Sequence, residues 1–300
     1  MLLTAAVTKH YSLRRFFVCL SALVLLAPSS TFAQSGPDDP EKPAGSSPPS
    51  GSTQVPADDE ATIQPAEPDY RLVNLPTTLR LPLHRGNFEL THRFAGNLEE
   101  GDFGDQLANL FGLDQGAIVG LEFRFAVVRH VQAAVYRTSF EKNIQFYGKY
   151  DALHQTDSSP LSISALVSIE GTNNFQEHYA PALGAVVSRT FADRVAVYGT
   201  PIWVHNTAAD TGVTRDTFLV GVGGRLRFFS SAYLVAEVSP RVGGYDPGQT
   251  EYAFGIEKRV GGHLFQLNFT NTWATTFGQL ARGGTPSTLY LGFNLARKFY

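Results

Sequence analysis

Apolar and polar side chains alternate along this 300-residue chain in about twelve segments, from near Phe88 to the last residues. Alternation with a period of two is the pattern of a β-strand that has one apolar and one polar face. Most segments contain about 8–12 residues, the length of a tilted strand that crosses a bilayer. In the last segment, 288–299, alternate positions hold Leu289, Leu291, Phe293 and Leu295. The pattern therefore predicts membrane-crossing β-strands.

The links between these segments vary in length in a regular way. The second, sixth, eighth and tenth links are very short, whereas the first, fifth, seventh, ninth and eleventh are long. The third link, near Glu141, is a short exception, and the fourth is of middling length. Outer-membrane barrels have short periplasmic turns, long outer loops and an even number of strands. We therefore predict an all-β fold, a closed antiparallel transmembrane β-barrel of about 12 strands, rather than a soluble β-sandwich.

The sequence before the barrel divides into two parts. Arg14 and Arg15 precede a short apolar run that holds Cys19, the only cysteine, and small residues follow up to Ala33. Residues 1–33 are thus predicted to be a secretory signal peptide cleaved near Ala33. Residues 34–69 are rich in Pro, Ser, Gly and acidic residues and are predicted to be a disordered periplasmic tail. Residues 70–300 are assigned to the transmembrane β-barrel domain.

The charge distribution bears on partners. Residues 34–70 contain eight acidic residues and one lysine, whereas the chain from Arg71 onward has 20 basic and 19 acidic residues. Binding of nucleic acid requires a concentrated positive field, which a nearly neutral barrel lacks. The expected partners are outer-membrane lipid and the barrel-assembly machinery. The acidic tail is either a tether for a periplasmic partner or a plain spacer, and the sequence does not identify a small solute.

Three stretches between His92 and Leu153 carry a family resemblance: HRFAGNL, LANLFGLDQGAIVGLEF and YRTSFEKNIQFYGKYDAL. They resemble a domain-of-unknown-function family (DUF5777) of bacterial outer-membrane β-barrel proteins. The resemblance is strong over the first part of the barrel and extends to the remainder only as a pattern. It implies the barrel fold and a location in the bacterial outer membrane. It supplies no activity, cofactor or catalytic residue.

Charged side chains recur on the polar face of the predicted strands and are expected to point into the lumen. Because both signs are present, one interpretation is a network of paired charges that fills a narrow core. The other is a charged constriction that selects solutes. The set consists of Glu89, Arg93, Glu122, Arg124, Lys149, Asp151, Glu170, Arg225, Arg227, Glu237 and Glu257.

The first outer loop contains a helical pattern. Phe103, Leu107, Leu110 and Phe111 fall on one helical stripe, and Asp102 is suited to cap its start. We predict a short helix there, which either folds into the mouth of the barrel as a lid or packs on the rim.

The last strand resembles the closing strand and assembly signal of bacterial outer-membrane barrels, which ends on an aromatic residue. The residues assigned to this signal are Leu291, Phe293, Leu295, Phe299 and Tyr300. The apolar alternation points at Phe299, so Tyr300 is one residue beyond the usual aromatic terminus.

No residue pattern predicts catalysis or metal binding. The histidines lack the spacings typical of metal ligands, so we expect neither a metal nor a cofactor. His92 and His205 share the parity of lipid-facing residues, and Asn206 follows His205, but no serine motif marks a nucleophile. The favoured function is a narrow porin-like channel or solute-binding barrel. A non-conducting barrel that anchors a periplasmic partner through its tail is the alternative, and a lipid hydrolase is the third.

Overall fold

A computed structural model describes the chain over residues 66–208 and 213–299. The predicted signal peptide, residues 34–65 of the predicted tail and the C-terminal Tyr300 lie outside the described residues. Within these two stretches, none of the helices has the length and apolar character required to cross a bilayer.

Thirteen antiparallel strands form one sheet in the described part of the chain. Apart from β10 and the start of β6, the strands coincide with the alternating stretches of sequence, because a strand directs successive side chains to opposite faces. They are β1 (Gly86–Asn97), β2 (Ala117–Val128), β3 (Val131–Thr138), β4 (Ile144–Leu153), β5 (Ser162–Gly171), β6 (Glu177–Phe191), β7 (Val195–Val204), β8 (Thr217–Phe229), β9 (Ala232–Ser239), β10 (Arg241–Gly244), β11 (Glu251–Val260), β12 (His263–Thr270) and β13 (Tyr290–Phe299). The described links contain three short α-helices, α1 (Phe103–Ala108), α2 (Thr172–Phe175) and α3 (Phe277–Ala281), and two short 3-10 helices, Leu110–Gln115 and Phe140–Lys142.

The sheet closes on itself. β1 pairs with β2 on one side and with β13 on the other, so that Leu90 lies opposite both Leu121 and Leu295. β8 pairs with β9, and the short β10 extends the same edge of β8 beyond Pro240. The predicted closed antiparallel β-barrel of about 12 strands is therefore confirmed, with β10 as one extra strand.

The two faces of the wall have opposite chemistry. In β2, Leu121 and Phe123 are 45% and 49% exposed, whereas Glu122 and Arg124 are each 1% exposed. Three strands further around the ring, Phe265 in β12 is likewise exposed. A bilayer core offers no hydrogen-bond partners, so an apolar outer face and a polar inner face suit a barrel surrounded by lipid.

The links define a short-loop end and a long-loop end of the barrel. The short-loop end holds the start of β1 and the links 129–130, 154–161, 192–194, 230–231 and 261–262. The fifth link, at the opposite end, is shorter than predicted, because β6 begins at Glu177 and leaves only residues 172–176 between strands. β6 extends beyond its apolar alternation since main-chain pairing, such as Ala180 opposite Glu170, does not require alternating side chains.

Two segments that are not part of the wall fill the lumen. Residues 66–83, here called the lumen hairpin, lie inside the barrel, and every residue of 66–79 is buried. Residues 274–284, here called the inner loop, fold inward from the long-loop end, and all of α3 is buried. α3 contacts β6, β7 and β8, whereas the strands that flank its loop are β12 and β13, so the loop crosses the lumen.

The boundary between tail and barrel differs from the predicted one at residue 70. Residues 66–69 are already buried in the lumen, and residues 70–83 form an insert rather than wall. The wall supplies hydrogen-bond partners to this segment, and these bonds offset the entropy that is lost when the segment becomes ordered. A tail in solvent has no such partners.

Candidate functional site: a lumen closed by two inserts

The lumen hairpin makes a tight turn inside the barrel. The main-chain N–H of Thr77 donates to the carbonyl of Tyr70 at 2.9 Å, and the N–H of Leu72 donates to the carbonyl of Leu75 at 2.8 Å. Arg71 and Pro76 face each other across the two arms. Residues 72–75 therefore form the tip of the hairpin, and both arms run back toward the short-loop end.

One wall carboxylate holds the tip. Glu237, in β9, accepts hydrogen bonds from the main-chain N–H groups of Val73 at 3.0 Å, Asn74 at 2.7 Å and Leu75 at 3.1 Å. Three successive N–H groups that converge on one anion form a strong charge-assisted contact. The Asn74 side chain adds a hydrogen bond to Glu251 at 3.1 Å.

Other wall side chains donate to carbonyl groups of the hairpin. Gln266 donates to Leu72 at 2.7 Å, and Asn294 donates to Val73 at 3.0 Å. Lys149 donates to the carbonyls of Thr77 at 3.1 Å and Leu79 at 2.6 Å. The hairpin main chain thus satisfies polar groups that project from β4, β12 and β13, which lie on different sides of the barrel.

Arg71 brings a positive charge to a cluster of wall carboxylates. Its guanidinium hydrogen-bonds to Glu122 and lies 3.4 Å from Glu89. Arg124 pairs with the second oxygen of Glu122 at 2.6 Å and lies over the ring of Tyr70 at 5.4 Å from its centroid. Buried charges persist when they are paired and hydrogen-bonded, so part of this wall network depends on the hairpin for its counter-charge.

Other predicted lumen charges pair within the wall. Arg225 contacts both oxygens of Glu257, at 2.6 and 2.9 Å, and Lys149 lies 3.2 Å from Asp151. Ten members of the predicted set are buried, and Arg227 is half-buried. The buried ones are Glu89, Arg93, Glu122, Arg124, Lys149, Asp151, Glu170, Arg225, Glu237 and Glu257. That these charged side chains form a constriction that selects solutes stays a prediction.

Two glycines of β8 leave room for the hairpin. A Cβ atom on Gly221 would lie 2.7 Å from both Cδ atoms of Leu75, and a Cβ on Gly223 would lie 2.5 Å from Cδ1 of Leu72. Real Cβ atoms essentially never show distances below 3.0 Å, so a larger residue at Gly221 or Gly223 would require the facing leucine to move.

The inner loop closes the other half of the lumen. Glu170 accepts hydrogen bonds from the Thr276 hydroxyl and from the Gly278 N–H, each at 2.8 Å. Arg282 forms a salt bridge with Glu141 at the rim. The two inserts meet where Arg71 Nη1 donates to the carbonyl of Thr275 at 3.0 Å. The sequence reasoning missed both inserts, although the apolar residues just before the first strand were a signal for the hairpin.

The family of the chain follows from its whole barrel. The family model described as a membrane bound beta barrel domain, DUF5777, matches residues 69–299. The chain belongs to this family. The resemblance predicted from the sequence is therefore confirmed, and the match includes most of the lumen hairpin. No curated protein matches the chain.

Several solved structures resemble the DUF5777 barrel at low sequence identity. The KdgM porin is 8% identical, with a TM-score of 0.46 over 71% of this chain and 99% of the porin. An outer membrane channel from Pseudomonas putida F1 is 12% identical, with a TM-score of 0.48 over 78% of this chain and 99% of the channel. The outer membrane protein Omp33 of Acinetobacter baumannii is 10% identical, with a TM-score of 0.40 over 72% and 98% of the two chains.

The DUF5777 barrel has a polar cavity of about 340 Å³ where the hairpin begins. Ala66 lines it together with residues of two short-loop links, among them His154, Asp157 and Asp193. Partial burial, together with the nearby Arg80 guanidinium, lowers the pKa of His154. The cavity places Ala66, the first described residue of the hairpin, at the short-loop end.

The first-loop helix of the DUF5777 barrel does not enter the mouth. The predicted helix is present as α1, with an Asp102 side-chain cap, but Phe103, Leu107, Leu110 and Phe111 are 66%, 53%, 51% and 37% exposed. The following turn packs against β1, where Gly112 contacts Gly96. The helix therefore lies at the rim, and the inner loop occupies the lumen in place of the predicted lid.

The remaining predicted residues of the DUF5777 barrel lie outside the lumen. Leu291, Phe293, Leu295 and Phe299 lie on the outer face of β13, and their use as an assembly signal stays a prediction. His92 stacks on Phe293 at 4.6 Å, and His205 hydrogen-bonds to Asp216 at 2.7 Å. In residues 66–208 and 213–299, no three His, Cys, Asp or Glu side chains are grouped as for a metal ion. The expected lack of metal and of catalysis stays a prediction.

Proposed function

We propose that this DUF5777 barrel is an outer-membrane channel that the lumen hairpin closes from the periplasmic, short-loop end. The observation that carries the proposal is that the hairpin enters and leaves the lumen at the same end. Its first described residue, Ala66, lies at the short-loop links, and its last residues join β1 at that end. The hairpin can therefore withdraw without breaking any strand pairing of the wall.

The chemistry of the wall supports a lumen that is wet when the hairpin is absent. Glu237, Lys149, Gln266 and Asn294 would lose their hairpin partners and require water in their place. Apolar wall side chains could fill the lumen of a barrel that never opens. The strands of this barrel carry such side chains on their outer face, but their inner face is polar.

Single-channel recording in planar bilayers tests the proposal. The four proteins to compare are the parent chain, a variant that lacks residues 66–82, a variant with residues 274–284 replaced by a short Gly-Ser link, and the combined variant. We expect no conductance steps from the parent, because both inserts fill its lumen. The combined variant is expected to show steady steps.

Folding of each variant is checked by its heat-modifiable gel mobility. If the deletion variant does not fold, the full-length variant with Leu72→Asp and Leu75→Asp replaces it, since two carboxylates cannot occupy the apolar sites over Gly221 and Gly223. A folded combined variant without conductance would contradict the channel.

The alternative function is a non-conducting barrel that anchors a periplasmic partner through the acidic residues before the hairpin. The buried state of residues 66–79 favours it, because a filled lumen passes no solute. The recordings separate the two, since an anchor has no pore to open.

A further inference from the structure

The wall of the lumen recognises the main chain of the hairpin more than its side chains. Six wall residues form hydrogen bonds with main-chain atoms of residues 71–79. Five of them donate, namely Arg225, Gln266, Asn294, Lys149 and Gln132, and Glu237 accepts. Amide and guanidinium donors meet carbonyls, and the single carboxylate meets three N–H groups. This pairing suits a polyamide and does not suit a sugar or a simple ion, which lack N–H and carbonyl groups in alternation.

Hairpin side chains also contact this site: Arg71 contacts Glu122 and Glu89, Asn74 donates to Glu251, and two leucines occupy apolar positions. Leu72 and Leu75 lie over Gly223 and Gly221, where the wall has no side chain. Between them, the main chains of Val73 and Asn74 turn over Glu237. The site thus has two apolar positions two residues apart along β8, and Glu237 of the adjacent strand β9 holds the turn between the two leucines.

We infer that the lumen is a peptide-binding site, and that the hairpin occupies it as an intramolecular ligand in competition with a solute peptide. The solute class is a short peptide that adopts a turn, carries leucine-sized side chains at positions i and i+3, and has an arginine directly before position i. The inference rests on the proposed channel for its use in transport, but the binding site itself does not require conduction. Hairpin withdrawal exposes all six wall residues and both apolar positions together.

Fluorescence anisotropy with a labelled synthetic peptide of residues 66–83 tests this site. The receptor is the full chain with Leu72→Asp and Leu75→Asp, in which the hairpin is displaced and the wall is unchanged. A second receptor has a protease site between Leu83 and Arg85, a half-buried to exposed link, so that cleavage frees an unaltered hairpin for removal. The intact parent chain is the control, because its own hairpin fills the site.

We expect the peptide to bind both receptors at least about tenfold more tightly than it binds the parent chain. A scrambled peptide should bind the two receptors at least about tenfold more weakly than the native peptide does. Methylation of the Val73, Asn74 and Leu75 amide nitrogens is expected to weaken binding by more than about tenfold, since it removes the donors to Glu237. A Gly-Ser peptide that keeps only the sequence RLVNL, and with it the Arg71 side chain that contacts Glu122, should retain binding within about tenfold of the native peptide.

Equal binding of native and scrambled peptides, or no effect of N-methylation, would overturn the inference. A Gly-Ser peptide with RLVNL that does not bind would overturn the assigned solute class. Anisotropy does not depend on current, so the binding site and the channel are tested separately. A receptor that binds the peptide but does not conduct supports the binding site and contradicts the channel. A receptor that conducts but does not bind the peptide supports the channel and contradicts the binding site.

Discussion

At the scale of single residues, the lumen contains a pair of opposite charges that are buried together. Arg225 and Glu257 are both fully buried and share two short hydrogen bonds, and Arg225 also donates to the carbonyl of Arg71 at 2.8 Å. Gln266 donates to Glu257 at 2.7 Å. Because neither charge has access to water, each depends on the other for its stability.

We expect Glu257→Ala to lower the free energy of unfolding by about 3–5 kcal/mol, since it leaves the Arg225 charge buried and unpaired by its main partner. The double variant with Arg225→Met and Glu257→Leu should regain most of this loss. Urea unfolding in lipid vesicles, followed by the fluorescence of Trp203 and Trp273, measures both.

The matched control is the half-buried rim salt bridge between Arg282 and Glu141, whose side chains are 24% and 28% exposed. Arg282→Ala should cost no more than about 1 kcal/mol. A cost for Glu257→Ala as small as that of Arg282→Ala would show that the Arg225 pair is hydrated.

At the scale of elements, the wall strands and the inserts obey different rules. A wall strand has one face in lipid and one in the lumen, so its side chains must alternate, as Leu121, Glu122, Phe123 and Arg124 do. The inserts have wall on all sides and need no alternation. Their main-chain groups are satisfied by wall side chains such as Glu237 rather than by a neighbouring strand.

This difference explains how far the sequence predicts the structure. Alternation, together with the rhythm of link lengths, was sufficient to predict the barrel, its closure and the inward charges. The hairpin was not predicted because its partners, such as Glu237 and Asn294, are more than 150 residues away in the chain. The amphipathic pattern at Phe103 predicts α1 correctly, but a pattern cannot state whether its apolar face meets the lumen or the solvent.

The inner loop depends on one wall carboxylate. Glu170 binds Thr276 and Gly278 of the loop and also Asn143 of the rim at 2.9 Å. We expect Glu170→Ala to increase hydrogen exchange of the amides in residues 274–284 by at least about tenfold, because the start of α3 loses its anchor. Mass spectrometry of exchange measures this peptide directly.

The control for this experiment is Glu177→Ala, which removes an exposed carboxylate at the same end of the barrel. It should leave exchange in the inner loop unchanged. The amides of β1 and β13 should stay protected in both variants, since the closing pair does not involve Glu170. Unchanged exchange of residues 274–284 in Glu170→Ala would contradict the anchoring role.

At the scale of the whole molecule, a lipid-facing cylinder encloses two segments that meet at its middle. The hairpin enters from one end and the inner loop from the other, and they join through Arg71 and Thr275. The wall is complete without either of them, since each strand pairs with its neighbours around the ring. This separation between a closed wall and removable contents is the basis of the proposed channel.

The most direct test of the central claim, that the hairpin lies inside the barrel, is a disulfide between the hairpin and the wall. The hydroxyls of Thr78 in the hairpin and Ser188 in β6 are in hydrogen-bond contact, so cysteines at both positions place their sulfur atoms within reach. In a chain without residues 1–33, which removes Cys19, we expect Thr78→Cys with Ser188→Cys to form the disulfide nearly completely under mild oxidation, as measured by the mass shift after thiol labelling. Thr78→Cys with Val187→Cys is the control and should stay reduced, because Val187 faces the outside of the barrel. Free thiols in the Ser188 variant, or equal cross-linking in both, would contradict a hairpin seated in the lumen.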